Sequence, residues 1–162
     1  MVTTLASPRQ PLPAGGDGFT IERRYYTLDG EETPLNEVHQ NERFVVVLNV
    51  SSFNNWPARI LVSDLLPGGF EIDNPRLVRS AELAGFDWLG DTEIAHSEFR
   101  NDRFVAALNR GSGDNREFSV AYVVRAVTPG TYVHPAASVE DMYRPELSAR
   151  TATGFLEVQA VQ

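Results

Sequence analysis

An all-β fold, an antiparallel β-sandwich of seven to eight strands with little helix, is what three observations predict. Short runs rich in Val, Ile, Phe and Tyr recur roughly every ten residues. Turn chemistry built from Gly, Pro, Asn and Asp separates them. No stretch holds a helical period over two or more turns. At 162 residues and 42% hydrophobic content the chain has enough apolar side chains for one core, so it is read as one folded domain over 19–162 behind a Pro/Gly/Ser-rich linker over 1–18.

The runs justify themselves in order. In GFTIERRYYTL (18–28), Phe19, Ile21 and Arg23 alternate with Thr20, Glu22 and Arg24, and Asp29-Gly30 then marks a turn. RFVVVLNVSS (43–52) is an unbroken apolar run, β-branched and short, which reads as a central strand. PARILVSDLL (57–66) sets Ile60 and Val62 against Leu61 and Ser63, and Pro67-Gly68-Gly69 ends it. The segment 80–90, SAELAGFDWLG, reads either as a helical turn ending at Gly85 or as an irregular excursion. DRFVAALN (102–109) and REFSVAYVVRAV (116–127) are strands with a hairpin-type connection, RGSGDN, between them; Phe118, Val120, Tyr122 and Val124 share a face. A short strand at Tyr132–His134 follows. GFLEVQAV (154–161) alternates Phe155, Glu157 and Gln159 with Leu156, Val158 and Ala160. The spacing fits a sandwich of immunoglobulin or fibronectin type.

Composition excludes several function classes. A net charge of -8 with no basic run offers no footprint for nucleic acid, whose binding depends on neutralising phosphates. No apolar stretch approaches the ~20 residues that span a bilayer, so direct membrane insertion is not expected. Cysteine is absent, which removes disulfides, thiolate metal sites and a cysteine nucleophile from this chain. His39, His96 and His134 lack metal-ligand spacing, and the carboxylate pairs Glu31-Glu32, Glu71-Asp73 and Glu140-Asp141 match no calcium loop. There is no GxSxG elbow, and Ser112 in GSG lies in a predicted turn. PAGGDG and LPGG precede strands, where a phosphate cradle needs a helix. No catalytic residue, metal or cofactor is therefore predicted, and the chain is read as a non-enzyme.

One stretch stands apart. VEDMYRPELSAR (139–150) reads as a solvated loop, yet it holds Met142 and Tyr143 side by side. All fourteen basic residues are arginine, with no lysine anywhere.

ERRYY, RFVVVLNV, SDLLPGGFEIDNP, FRNDRFVAALN and FSVAYVVRAVTPGTYVHPAASVEDMYRPELSART, in this order, resemble the C-terminal macroglobulin-like domain of bacterial alpha-2-macroglobulins, from about Ile21 to Val161. The resemblance implies a macroglobulin β-sandwich at the end of a large periplasmic protease inhibitor, its parent anchored at the inner membrane. Such proteins carry a thioester that acylates a lysine of the attacking protease. Their last domain packs on the thioester domain and shields the bond with a Met-Tyr pair, which here matches Met142 and Tyr143. Implied partners are the thioester domain of the same parent chain, target proteases through the parent, and other cell-envelope proteins. Arg144 and Pro145 would hold the exit of the stretch, with Glu140 and Asp141 wet at its rim. The lack of lysine reflects either genome composition or a domain that offers no amine to an acyl group beside it. The residues alone leave open a plainer use for the pair, capping this domain's own sandwich. They also leave open a different class: an autonomous adhesion or carbohydrate-binding module using Trp56, Trp88 and exposed tyrosines.

Overall fold

The structure, a computed structural model, describes residues 11–73, Phe86 and residues 96–161. These form thirteen strand segments and no helix: β1 (Gly15–Asp17), β2 (Phe19–Tyr26), β3 (Val38–His39), β4 (Arg43–Ser52), β5 (Ala58–Leu65), β6 (Phe70–Ile72), β7 (His96–Arg100), β8 (Arg103–Arg110), β9 (Glu117–Ala126), β10 (Gly130–His134), β11 (Ala137–Asp141), β12 (Arg144–Arg150) and β13 (Gly154–Gln159). The antiparallel sandwich is as expected. Its segments outnumber the seven or eight anticipated: β1, β3 and β6 have only two or three residues, too few to show a period, and β7, β11 and β12 lie in stretches whose polar residues obscured their alternation. The alternative readings of 80–90 lie outside the described residues.

Three sheets build the sandwich. One runs β1-β12-β11-β5-β8-β7, the second β2-β4-β9-β6, and a small third β10-β13-β3. Ile60, Val62, Phe104, Leu108 and Val139 of the first share one core with Ile21, Leu48, Val120 and Tyr122 of the second. Phe104 and Tyr122 stack across it, centroids 4.6 Å apart. Val38, Leu156 and Val158 of the third sheet close the same core. The second sheet is buried on its other face too, where Val45, Val47, Ala121 and Val123 pack with Tyr26 under Phe86. Burial on both faces is why β4 reads as an unbroken apolar run: neither side of the strand has to be polar.

Two connections differ from expectation. RGSGDN is not a hairpin turn. It carries the chain from β8 in the six-stranded sheet to β9 in the four-stranded one. Gly, Ser, Asp and Asn suit any exposed reversal, whichever sheet the next strand joins. Gly15–Asp17, within the segment read as linker, pairs antiparallel with Ser148–Arg150.

The LPGG turn is shaped by a ring. A Cβ on Gly69 would overlap the edge of Tyr132 and sit 2.8 Å from Thr128 O, and Gly69 O accepts the Val127 N–H at 2.8 Å. Gly69→Ala is therefore expected to destabilise by about 1–3 kcal/mol through overpacking, seen as a fall of several degrees in Tm. An unchanged Tm would show that Tyr132 moves aside freely.

Candidate functional site

Residues 139–150 are not a solvated loop. β11 and β12 form a hairpin in which Asp141 pairs with Arg144, leaving Met142 and Tyr143 as its two-residue tip. Among described non-glycine residues only Asn41 has positive φ, so the turn is not one of the mirror-image types that match strand twist. The mismatch is taken up next to it. Pairing shifts between Glu140 and Asp141, so that Glu140 faces Ser148 and residues 145–147 bulge from the ladder. Pro145, which has no N–H to give a ladder, suits that bulge.

Side chains lock the tip. Asp141 is 1% exposed. Its Oδ1 accepts the Tyr143 N–H at 3.0 Å, and its Oδ2 accepts Arg144 Nε–H at 2.8 Å. The expectation that Glu140 and Asp141 both stay wet is corrected: Glu140 is half-buried, and Asp141 is the acceptor on which the turn closes. A carboxylate can be buried here because an arginine and a backbone N–H satisfy it. Arg144 also reaches across to the residue just before β5, where its Nη2 donates to Pro57 O at 2.7 Å. The Met142 N–H donates to Arg59 O at 2.8 Å. With the backbone fixed in this way, Met142 is 47% and Tyr143 72% exposed, and neither joins a core cluster.

The loop between β4 and β5 meets this tip. Arg144 places its guanidinium 5.2 Å from the centroid of the Trp56 ring. Trp56 is 57% exposed, but its backbone is held: its N–H donates to Asn54 Oδ1 at 3.3 Å, and its carbonyl accepts Arg110 Nη2–H at 2.9 Å. Arg110 is buried beneath the loop, and that burial pushes its pKa down while Asp141 pulls the other way. Trp88, the other tryptophan, lies outside the described residues.

A second constellation is internal, and the sequence reading did not single it out as a unit. Asp64 of β5 accepts Arg23 Nη1–H at 2.6 Å and the Tyr122 hydroxyl at 2.6 Å, while Arg23 Nη2 donates to Pro135 O at 2.8 Å. Tyr25 and His134 meet through Oη and Nε2 at 2.6 Å. The neighbouring tyrosines of β2 therefore part company, Tyr25 to the central core and Tyr26 to the outer cluster. The missed signal was the alternation itself. Continued one step, it puts Arg23 and Asp64 on inward faces of two strands. Opposite charges on inward positions are the mark of a buried pair. Among the described residues no three His, Cys, Asp or Glu side chains gather as metal ligands.

Comparison with known proteins bears on all of this. Residues 18–146 match the model of the Bacterial Alpha-2-macroglobulin MG10 domain. An alpha-2-macroglobulin of Xylella fastidiosa (strain 9a5c) is 37% identical over 163 residues, covering 96% of this chain and 10% of that protein. The crystal structure of native Escherichia coli alpha-2-macroglobulin from domain MG7 to the C-terminus superposes with a TM-score of 0.82 at 33% identity, covering 94% of this chain and 25% of that one. Salmonella alpha-2-macroglobulin reacted with methylamine gives 0.81 at 34% identity, covering 94% of this chain and 10% of the other. The chain thus spans about a tenth of the length of its curated relatives.

Proposed function

The chain belongs to the bacterial alpha-2-macroglobulin MG10 domain family, and from that premise we propose that it serves, without catalysis of its own, as the domain of a periplasmic protease inhibitor that packs on the thioester domain and shields the reactive bond. The observation that carries this reading is the hairpin tip: two large side chains, exposed, on a backbone that the domain itself immobilises. Such a tip costs little entropy to dock, because its order is already in place. A thioester persists in water only where hydroxide and small amines are kept from its carbonyl, and an aromatic ring beside a soft thioether is suited to filling the space over it. A Salmonella relative has been reacted with methylamine, and methylamine is therefore the probe we carry to this chain's parent: shielding sets how slowly it reacts. A shielding domain without lysine offers the thioester's acyl group no side-chain amine. The tenth share of its relatives' length supports this role over that of an autonomous adhesion or carbohydrate-binding module.

Tyr143→Ala in the intact parent is expected to speed methylamine-driven thiol release at least tenfold, equivalent to about 1.4 kcal/mol off the barrier. The stability of the present chain should change by no more than about 0.5 kcal/mol, as for an exposed side chain. Thiol release at the parental rate would sink the shielding role. No thiol from either protein would mean that the parent holds no such bond.

A further inference from the structure

We propose that the contact surface does not stop at the hairpin tip but continues onto Trp56, so that Trp56, Met142 and Tyr143 engage one face of the same partner, the thioester domain of the parent chain, with Arg144 as the positioning residue that joins them. This deepens the shielding reading and rests on it.

Three observations carry it. First, an indole more than half exposed is placed on a loop whose backbone is tied at both its N–H and its carbonyl. The domain holds the residue still without burying its ring. Second, the loop and the hairpin are one unit. Arg144 has its Nε on Asp141, its Nη2 on Pro57 O and its guanidinium by the Trp56 ring, while the Met142 amide is bonded to Arg59 O. Whatever meets Tyr143 therefore meets a surface in which Trp56 is fixed relative to it. Third, the residue types are those on which interface energy concentrates: tryptophan, tyrosine and arginine in a preorganised patch. The relatives supply the occupant, since the chain is about a tenth of their length and the rest of such a parent is covalently at hand.

The partner face this surface fits is chemically definite. It is apolar opposite the two rings and the thioether. At the rim it presents a carbonyl or carboxylate oxygen to the outer edge of Arg144, whose side chain keeps 29% of its exposure. An arginine already aligned by Asp141 and Pro57 O loses little freedom in accepting such a partner, whereas lysine could not keep both of those bonds and still cover the indole.

The test uses the full-length parent with a photoreactive benzophenone side chain placed at position 56 or, separately, at position 143. Intramolecular crosslinks formed in the unactivated protein are mapped by mass spectrometry, and a melting scan verifies folding. The expected result is that both positions crosslink to one segment of the thioester domain. In parallel, Trp56→Ala should speed methylamine-driven thiol release threefold or more. Both positions crosslinking to one segment elsewhere in the parent would overturn the shielding reading and, with it, the inference that the thioester domain is the partner. Crosslinks from 143 with none from 56 would overturn the inference and leave that reading intact. Crosslinks from neither would overturn both.

Discussion

Asp64→Ala is expected to cost the chain about 3–5 kcal/mol, the range for removing one member of a buried ion pair. Asp64 is fully buried, and the Arg23 side chain is 6% exposed. The two carboxylate oxygens hold Arg23 and the Tyr122 hydroxyl, each at 2.6 Å. Alanine leaves the Tyr122 hydroxyl and the Arg23 Nη1 without their acceptor and leaves the guanidinium charge unpaired, with only Pro135 O still on its Nη2, and each group so stranded costs its own desolvation. Against a total stability of about 5–15 kcal/mol for a domain, this is a large share. The position also matters mechanically within the fold: β2 lies in the four-stranded sheet, β5 in the six-stranded sheet, and Pro135 follows β10 of the third. One arginine–carboxylate unit thus pins all three layers. Burial drives the Asp64 carboxyl up while Arg23 and Tyr122 favour its ionised form, so the bonds matter more than the charge alone. Urea denaturation provides the measurement. A midpoint shift worth under about 1 kcal/mol would show that the unit is dispensable. The double variant Arg23→Met, Asp64→Leu should recover most of the loss, because no charge is then left buried alone.

Acid should reveal the second buried unit. His134 is half-buried beside Tyr25 and near Arg23; desolvation first, and the arginine's charge second, pull its pKa down to about 3. Its neutral ring meets the Tyr25 hydroxyl through Nε2 at 2.6 Å, and burial raises the pKa of that phenol. In the unfolded chain the imidazole titrates near ~6.5. The unfolded state therefore binds the extra proton first. The contribution to stability is complete above about pH 6.5 and is lost as pH falls toward 3, at roughly 1.4 kcal/mol per unit. By pH 4 that is about 3 kcal/mol. His134→Gln keeps an acceptor for Tyr25 but has no proton to take up. Its stability should decline less steeply than the parent's between pH 6.5 and 4. Parallel profiles for the two would mean that His134 protonates without leaving its place.

How much of this was legible depends on whether a strand's pattern is local. The alternation in β5 and β9 and the unbroken run of β4 are each set by which faces are buried, so reading them is reading the core. The RGSGDN crossing was not legible, since turn residues record a reversal of the chain and not the sheet it enters. The β11–β12 hairpin was hidden for two reasons. Its tip has no Gly or Asn, the usual mark of a two-residue turn, and its Asp and Arg satisfy each other in a half-buried setting while looking solvated in sequence. Met142 and Tyr143 stood out in the sequence as two large side chains in a charged stretch, and family resemblance supplied the role expected of them. Asp141 and Arg144, which aim them, needed coordinates.

β1 pairs with β12, a partner distant along the chain, and that separation bears on how fast the domain folds. Arg150 Nε–H donates to Pro13 O, 137 residues away along the chain, and Arg23 reaches Pro135 over 112. Contacts that distant must wait for long loops to close, which places such a topology among the slow folders, on a scale of milliseconds to seconds. Until β11 and β12 arrive, β5 has an open edge on one side and the inward carboxylate of Asp64 lacks the completed wall around it. A chain caught at that stage presents the bare strand edges that drive self-association. The β11–β12 hairpin is itself local in sequence, but its places beside β5 and β1 are not, so the tip that carries Tyr143 is seated in its sheet only once those distant strands have met.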